Sequence, residues 1–364
     1  MMSCENGRWF SNEMKQYKNI LVNALVNLGD VVLTTSAIAL LKKAYPTAKI
    51  TMMVKPVVLQ AVENNPVVDD VLVFDYRAKQ NSFRKMLNMV REIKRREFDL
   101  SISFDRKLRP ALICWAARIP CRVGPNKVLD DKPSNVTWLY TDVVNIDHDL
   151  IHTLQAESYQ TIIRKFTGIS DHAKPVFARI TSDAECKANA LLARLPTSQK
   201  KIALCIKGTF ALKTWPKEYF EQLVSELSKR YNSAFFIVGA ASDRDYAEEV
   251  IAAMKGNVLN FCGETSLVEL AALISKSSLL VTVDTGAAHI AATTGVPMVT
   301  VYGCTIPDRW HPQNDRAVVL SSRERCCPCT VREEDCPSNP KPNCLWNLTP
   351  DMVLEKCIEL LERV

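Results

Sequence analysis

The feature that most constrains the fold of this chain is a regular alternation of short apolar runs with amphipathic segments. The apolar run Asn19–Asn23 is followed by helical spacing over Val31–Tyr45 and then by a second apolar run, Lys49–Val54. Strands that alternate with helices are typical of βαβ units and a parallel sheet. Because the alternation restarts at Lys201–Ile206 and continues to Met298–Val301, we predict an α/β protein with two doubly wound, Rossmann-like domains that face a central cleft.

The length of 364 residues fits two domains, each large enough to bury its own core. We expect an N-terminal domain over residues 1–195 and a C-terminal domain over residues 196–364, with a Pro-Thr-Ser linker at 196–198. Pro350–Leu360 is predicted to form the closing helix, with Thr349 as its N-cap. That helix is a candidate to pack back on the N-terminal domain.

Composition excludes several classes of protein. With 47% hydrophobic and 24% charged residues, the chain can bury a core and is not expected to be disordered. No apolar run reaches the roughly 18–20 residues that a membrane-spanning helix needs. The first ten residues lack the features of a secretory signal. Since most of the 13 cysteines are scattered along the chain, we expect a reducing, cytoplasmic location.

The net charge of +6 is distributed unevenly. Residues 1–180 carry 26 Lys and Arg against 18 Asp and Glu, whereas residues 181–364 carry 20 against 22. Most of the excess lies between Arg77 and Lys127. A one-sided basic surface favours an anionic partner, either nucleic acid, anionic lipid or a phosphorylated substrate. The segment Arg84–Arg96, taken alone, is more typical of a solvated helix face.

A Gly-Asp pair directly follows the first strand. Gly29 permits a tight turn between strand and helix, and Asp30 then lies at the helix N-terminus and at the carboxyl end of the strand. Backbone N–H groups at this position would keep the carboxylate ionised. An aspartate that only caps the helix is the simpler alternative.

A second candidate site lies between the first strand and first helix of the C-terminal half. There, Lys207-Gly208-Thr209 and Lys213 precede a helix N-terminus, a combination that favours anion binding. The order of residues is not that of a Walker P-loop. An ordinary loop with an exposed lysine is an equally good interpretation.

The third candidate site is the Asp-Thr-Gly turn that ends a buried strand. Asp284 ends the strand, while Thr285 and Gly286 have little bulk, so the backbone could approach a diphosphate closely. His289 lies on the first turn of the following helix and could contact the same ligand. A lone histidine is more often a hydrogen-bonded core residue, but its place just after the turn favours a ligand contact. The loop at 302–312 is expected to line the same cleft.

Two further patterns are compatible with metal binding, but we predict no metal site at either. The D-x-D string at Asp243 opens a helix at a strand end, where one carboxylate could bind a ribose. Five cysteines crowd into Cys326–Cys344, where four thiolates could surround a metal ion. Their spacing is not that of a zinc ribbon, so a cysteine-rich loop or an occasional disulfide is the favoured interpretation.

Taken together, these motifs resemble the ADP-heptose:lipopolysaccharide heptosyltransferases of glycosyltransferase family nine. The resemblance covers nearly the whole chain beyond a short N-terminal extension. Ala24 and Phe210 depart from it, because many members have basic residues at these positions. The segments that carry the resemblance are Ile20–Val22, Leu28–Thr35, Lys213–Pro216, Leu267–Ala271, Asp284–Ala291, Pro297–Gly303 and Thr349-Pro350.

The resemblance implies a GT-B fold and an inverting transfer of heptose from ADP-heptose to the inner core of lipopolysaccharide, with no metal or other cofactor. It also implies a phosphorylated lipid A-core acceptor and a peripheral position at the anionic, inner face of the inner membrane. Asp30 would be the general base. Donor-binding roles would fall on Thr209, Lys213, Asp243 (ribose), Leu267 (adenine), Asp284, Thr285, Gly286 and His289.

Other functions remain open at this stage. A family member could use another nucleotide sugar or another acceptor in cell-surface polysaccharide synthesis. The chain could also be a nucleotide- or membrane-binding module without turnover. A nucleic-acid binder is disfavoured, because the basic segment contains no recognised motif or aromatic stacking pattern.

Overall fold

Two parallel sheets organise the part of the chain that the computed structural model describes, namely residues 3–5, 8–10, 15–75, 82–127, 132–196, 200–254, 257–329 and 332–363. A short antiparallel hairpin of β1 (Ser3–Glu5) and β2 (Arg8–Phe10) precedes them. The strands of the first sheet are β3 (Asn19–Asn23), β4 (Lys49–Val54), β5 (Asp70–Val73), β6 (Leu100–Ser103), β7 (Cys121–Pro125) and β8 (Asp142–Val144). The strands of the second sheet are β9 (Lys200–Cys205), β10 (Ser233–Ile237), β11 (Val258–Asn260), β12 (Leu279–Val283), β13 (Met298–Tyr302) and β14 (Ala317–Ser321).

Helices cover both sheets, as the predicted alternation requires. Helix α1 is the longest of those described and is buried along most of its length. The helices are α1 (Leu28–Ala44), α2 (Ser82–Arg95), α3 (Leu108–Ala116), α4 (Gln155–Thr167), α5 (Ser182–Leu192), α6 (Lys217–Arg230), α7 (Arg244–Ala253), α8 (Leu267–Ser275), α9 (Gly286–Thr294), α10 (Pro307–Trp310), α11 (Asn343–Trp346) and α12 (Pro350–Glu362).

The two sheets have the same strand order. Across the first sheet the order is β5-β4-β3-β6-β7-β8, and across the second it is β11-β10-β9-β12-β13-β14. In each sheet the strand order reverses beside the strand that comes first in the sequence, which is β3 in one sheet and β9 in the other. The connections that follow β3 and β6 therefore cover opposite faces of the first sheet. The connections that follow β9 and β12 do the same in the second sheet. Ligands of open α/β sheets bind at such switch points, outside the carboxyl ends of the strands. The predicted pair of doubly wound, Rossmann-like domains is confirmed.

Packing divides the chain before α5 rather than at residue 195. Ala184, Ala188 and Leu191 of α5 belong to the hydrophobic core beneath the second sheet, and α5 packs along α8. The predicted boundary at residue 195 therefore assigned α5 to the wrong half, because the apolar face of a helix does not indicate which sheet it covers. Residues 197–198 of the predicted linker lie outside the described residues.

The closing helix α12 also packs on the second half. Its apolar residues, Val353 and Cys357 among them, lie in the core formed with α6, β12 and β13. The expectation that it packs back on the N-terminal domain is therefore wrong. The physical reason is that the outer face of the second sheet offers a matching apolar surface.

The two halves meet where α1 crosses α9. A Cβ atom on Gly29 would lie 2.8 Å from Cδ2 of His289, and one on Gly286 would lie 3.1 Å from the side chain of Leu28. Ile290 of α9 belongs to the hydrophobic core of the first half. Two glycines thus let two helix N-termini approach, which places both switch points at one cleft.

Candidate functional site

Asp30 lies at the switch point of the first sheet, in the first turn of α1, as predicted. Its Oδ1 accepts a hydrogen bond from the hydroxyl of Tyr159, at 3.0 Å, and Tyr159 is fully buried on α4. Burial raises the pKa of the Asp30 carboxyl, while the Tyr159 hydrogen bond partly opposes that change. A carboxylate with a raised pKa is a stronger base than a solvated one.

Three cations from distant parts of the chain also act on Asp30. Arg309, Lys107 and Lys55 each lower the pKa of its carboxyl electrostatically. Lys55 is buried at the end of β4 and donates to Oδ1 of Asn27, at 3.1 Å, in the loop that leads into α1. Lys107 donates to the backbone oxygen of Leu25 at 2.9 Å. The environment of Asp30 is therefore positively charged.

A second carboxylate, Asp105, follows β6 at the other side of the same switch point. It is 1% exposed, and its Oδ2 lies 3.5 Å from Nζ of Lys107. Burial raises the pKa of this carboxyl, and the neighbouring Asp30 raises it further. Because two buried carboxylates share one region, ionising both at once is unfavourable.

Lys213 and Asp284 occupy the switch point of the second sheet. Nζ of Lys213 lies 2.6 Å from Oδ2 of Asp284, and both side chains are largely buried. The hydroxyl of Thr305 donates to the same carboxylate oxygen at 2.7 Å. The ammonium is therefore held in a fixed position by a buried carboxylate.

The N-terminus of α9 lies beside this pair, because the helix begins two residues after Asp284. Thr285 caps the helix, since its hydroxyl oxygen accepts from the backbone N–H of Ala287 at 3.0 Å. His289 is 5% exposed, and burial lowers its pKa to about 4. Its Nδ1 has no hydrogen-bond partner in the described structure. His289 is therefore a neutral imidazole next to Gly29, close to the loop that carries Asp30.

The remaining predicted donor residues lie around this centre. Thr209 is exposed in the loop after β9. Asp243 follows β10, and its Oδ1 lies 3.2 Å from Nζ of Lys207, which follows β9. Leu267 begins α8, where its backbone N–H donates to Oε1 of Gln60 in the first half, at 2.9 Å. Leu267 thus lies at the contact between the halves.

Sequence reasoning missed several residues of the cleft. Lys55 and Asp105 each follow directly or closely after a parallel strand, so the carboxyl-end rule could have found them. Thr305 and Arg309 lie in the loop 302–312 that was expected to line the cleft, but no role was assigned to either side chain. Neither Tyr159 nor the pairing of Arg309 had a local signal. The contact between Tyr159 and Asp30 joins residues that are 129 positions apart in the sequence, and the contact between Arg309 and Gln155 joins residues 154 positions apart.

The cysteine cluster is placed below the Lys213 loop. Cys304 and Cys344 are buried against Leu212, with Cys327, Cys329 and Cys336 packed around them. Within the described ranges, no group of three or more His, Cys, Asp or Glu side chains is arranged to hold a metal ion. Nor does any helix in those ranges combine the length and the hydropathy needed to cross a membrane.

Known proteins with the same architecture are similar to this chain over nearly its full length. The lipooligosaccharide heptosyltransferase 2 of Haemophilus influenzae is 27% identical over 364 residues, covering 95% of this chain and 100% of that protein. The crystal structure of a family 9 glycosyltransferase from Veillonella parvula matches with a TM-score of 0.85 at 23% identity, covering 97% of this chain and 100% of that one. The E. coli heptosyltransferase WaaC with ADP matches with a TM-score of 0.71 at 19% identity, covering 94% and 99%.

These structural likenesses confirm the predicted GT-B fold. The family model described as glycosyltransferase family 9 (heptosyltransferase) matches residues 86–339, which is more than half of the chain. The matched region includes the Lys213 loop and the Asp-Thr-Gly turn, on which the predicted resemblance depended. The chain therefore belongs to glycosyltransferase family 9 and is a glycosyltransferase.

Proposed function

We propose that this enzyme transfers heptose, with inversion, from ADP-heptose to the inner core of lipopolysaccharide, without a metal ion or other cofactor. The observation that carries the proposal is that Asp30 and the Lys213–Asp284 pair lie at the two facing switch points. A base and an anion site that face one cleft suit a displacement between a hydroxyl and a sugar diphosphate. The names of the relatives support heptose and ADP as the components of the donor.

Asp30 acts as the general base in this proposal. An acceptor hydroxyl attacks the anomeric carbon while a carboxylate oxygen of Asp30 takes its proton. As the new C–O bond forms, the bond from the anomeric carbon to the diphosphate oxygen breaks, and its electron pair leaves with ADP. One displacement inverts the anomeric configuration. Because Oδ1 of Asp30 already accepts a hydrogen bond from Tyr159, Oδ2 is the carboxylate oxygen that would accept the proton.

Charge on the departing ADP is stabilised by Lys213 and by the N-terminus of α9. An ammonium and the positive end of a helix dipole are suited to a diphosphate, and both are positioned before the reaction begins. An incoming diphosphate would share the ammonium of Lys213 with Asp284, so the buried carboxylate would keep its cation. His289, Thr285 and Gly286 border this position, and the neutral imidazole of His289 adds no competing charge.

The nucleoside would bind along the carboxyl ends of β9 and β10. In this proposal, Asp243 accepts from ribose hydroxyls, Leu267 packs against adenine and Thr209 lies beside the diphosphate with Lys213. Asp243 supports this role because it follows β10 and its partly exposed carboxylate is paired with Lys207. Leu267 is supported by its partial burial at the contact between halves.

The acceptor side would face the cytoplasmic surface of the inner membrane. Helix α2 is amphipathic and strongly basic. An apolar groove of about 420 Å³ lies beside it, lined by Leu25, Met86, Leu108 and Leu112. Apolar and cationic groups together favour contact with a phosphorylated lipid A-core acceptor and with anionic lipid. No nucleic-acid partner is proposed.

The test combines nucleotide binding with a transfer assay on the full chain. We expect ADP and ADP-heptose to raise the melting temperature, with UDP and GDP inert, and mass spectrometry to show heptose added to the acceptor. Asp30→Asn should bind ADP normally but lose at least about 100-fold in transfer rate, because general-base catalysis contributes roughly that much. A preference for UDP would overturn the donor assignment, binding without turnover would indicate a nucleotide-binding module, and an active Asp30→Asn would remove the base.

A further inference from the structure

Helix α4 presents two buried polar side chains to the cleft. Gln155 and Tyr159 are four residues apart, so they lie on the same face of the helix. Tyr159 donates to Oδ1 of Asp30 at 3.0 Å, and its ring packs edge-on against Phe104 with centroids 5.4 Å apart. Tyr159 therefore has a fixed position, and it holds one oxygen of the proposed base.

The other side chain, Gln155, is bound by the second half of the protein. Nε and Nη2 of Arg309 donate to Oε1 of Gln155 at 3.0 and 2.7 Å. Gln155 is 1% exposed, and its Nε2 has no hydrogen-bond partner in the described structure. A buried amide with half of its capacity unused is unfavourable for stability. We therefore attribute the role of Gln155 to its hydrogen bonds with Arg309 rather than to the packing of α4.

Arg309 is itself close to the donor site along the chain. It lies on α10, four residues after Thr305, whose hydroxyl is bonded to Asp284. The segment 305–309 therefore touches the Lys213–Asp284 pair at one end and α4 at the other. A continuous set of contacts connects the diphosphate position of the second half with the carboxylate of the first.

We propose that Tyr159, Gln155 and Arg309 are positioning residues that align Asp30 for proton transfer when the two halves are together. Tyr159 orients the carboxylate, and Arg309 fixes α4 through Gln155. Separation of the halves would break the Arg309–Gln155 bonds and release α4, so the base would be aligned only in the assembled cleft. This inference rests on the proposed role of Asp30 as the base.

The first test is the pH dependence of kcat for Tyr159→Phe. The variant keeps the ring but loses the hydrogen bond, which stabilises the ionised carboxylate, so the pKa of Asp30 should rise and the acidic limb should move to higher pH. We expect kcat to fall about 10- to 100-fold because the carboxylate is no longer held in position, an effect that outweighs its greater basicity, with KM for ADP-heptose within about twofold. Placing 3-fluorotyrosine at 159, a stronger donor of the same shape, should move the limb to lower pH.

The second test is a double-mutant cycle between Gln155→Ala and Arg309→Gln. Each should lower kcat, and the double variant should be no worse than the poorer single one, because both changes break the same contact. Gln155→Glu, which can still accept from Arg309, should retain activity. Arg323→Gln is the matched control, since Arg323 pairs with Asp308 beside Arg309 but is 67% exposed; it should leave kcat unchanged.

The outcomes separate this inference from the proposed function. If Asp30→Asn remains active, the base assignment fails. If Asp30→Asn is inactive while Tyr159→Phe keeps the normal pH limb and the cycle is additive, the positioning role alone is wrong. If Tyr159→Phe does not fold, the 3-fluorotyrosine variant and the double-mutant cycle still test the proposal. An acidic limb of the pH profile that does not move with 3-fluorotyrosine, or additive effects of Gln155→Ala and Arg309→Gln, would overturn it.

Discussion

At the scale of single residues, the Lys213–Asp284 pair determines how a diphosphate could be received. The ammonium is held by a carboxylate that also accepts from Thr305. The lysine is therefore oriented before ligand arrives, and little reorganisation is needed during the reaction. The same pairing avoids an isolated buried charge, which would be strongly destabilising.

Replacing Lys213 should impair both binding and turnover. For Lys213→Ala we expect ADP affinity to fall and transfer to slow by about 100-fold, as for the loss of one preorganised charge. Unfolding free energy should fall by about 3 kcal/mol, because Asp284 is left buried without its cation. Calorimetric titration with ADP, a transfer assay and denaturant unfolding measure the three effects. Lys217→Ala is the control, because Lys217 pairs with Glu249 at an exposed site; unchanged ADP affinity in Lys213→Ala would contradict the role.

His289 should make the stability of the protein depend on pH. The unfolded chain binds a proton at this histidine near pH 6.5, whereas the buried imidazole has a pKa of about 4. Stability from this residue is therefore present above pH 6.5 and is lost as the pH falls towards 4. We expect a loss of about 1–2 kcal/mol between pH 6.5 and pH 5. Denaturant unfolding of His289→Gln should show a correspondingly flatter profile, and equal profiles would show that the residue does not titrate as described.

At the scale of elements, the crossing of α1 and α9 depends on residues without side chains. The N-termini of both helices can approach only because positions 29 and 286 are glycine. A tight turn between strand and helix was predicted at Gly29, but the residue lies inside the first turn of α1. Glycine is required there because of the imidazole of His289 on the partner helix.

Gly29→Ala should push the two helices apart. We expect a loss of about 1–3 kcal/mol in unfolding free energy, the usual effect of overpacking. In a His289→Ala background the same substitution should be almost neutral, because the atom it meets, Cδ2 of His289, is gone. Denaturant unfolding of the four proteins measures the coupling, and purely additive losses would mean that the contact is not the cause.

Elements were predictable where apolar patterning was strong. The strands at Asn19–Asn23 and Lys49–Val54 were predicted with their observed bounds. The strands β7, β8 and β14 were missed because they lie toward or at sheet edges and their patterns are weak. β7 contains Gly124 and Pro125, β8 has three residues, and β14 is only partly buried. Helix α3 was missed because it is short and contains a proline in its first turn.

At the scale of the whole molecule, the uneven charge now has a place in the fold. The basic excess belongs to the half that contains Asp30, and exposed apolar side chains accompany it. Phe83 is 69% exposed and Trp138 is 66% exposed. Exposed aromatic and cationic groups on the same half are the composition expected of a surface that meets lipid headgroups.

Binding to vesicles should depend on anionic lipid and on salt. We expect the protein to sediment with vesicles of phosphatidylglycerol and phosphatidylcholine but not with phosphatidylcholine alone, and less at high ionic strength. Arg91→Glu combined with Lys94→Glu on exposed positions of α2 should lower the partition coefficient between vesicles and water at least about 30-fold, because each basic residue near the surface contributes roughly 1 kcal/mol. Lys187→Glu, on an exposed position of α5 in the other half, should have little effect. Equal binding to both kinds of vesicle would exclude the electrostatic contact.

The candidate site was predictable in part for the same reason as the strands. Asp30, Lys213 and Asp284 follow parallel strands whose apolar patterns are strong. Their position at the carboxyl edge of the sheets could therefore be inferred. The cluster of charges around Asp30 could not, because it depends on how two halves are oriented. Lys107, Tyr159 and Arg309 come from three separate elements, and no local pattern relates them.

The contact of Gly29 with α9 has a mechanical consequence. It lies between the two positions where the reacting groups are proposed to bind, so it can serve as a pivot. If the halves rotate about it, Asp30 and Asp284 stay near the axis and change their separation little, whereas the rims of the cleft move through a much longer arc. Bulky substrates could then enter and leave at the rim while the reacting centre keeps its dimensions.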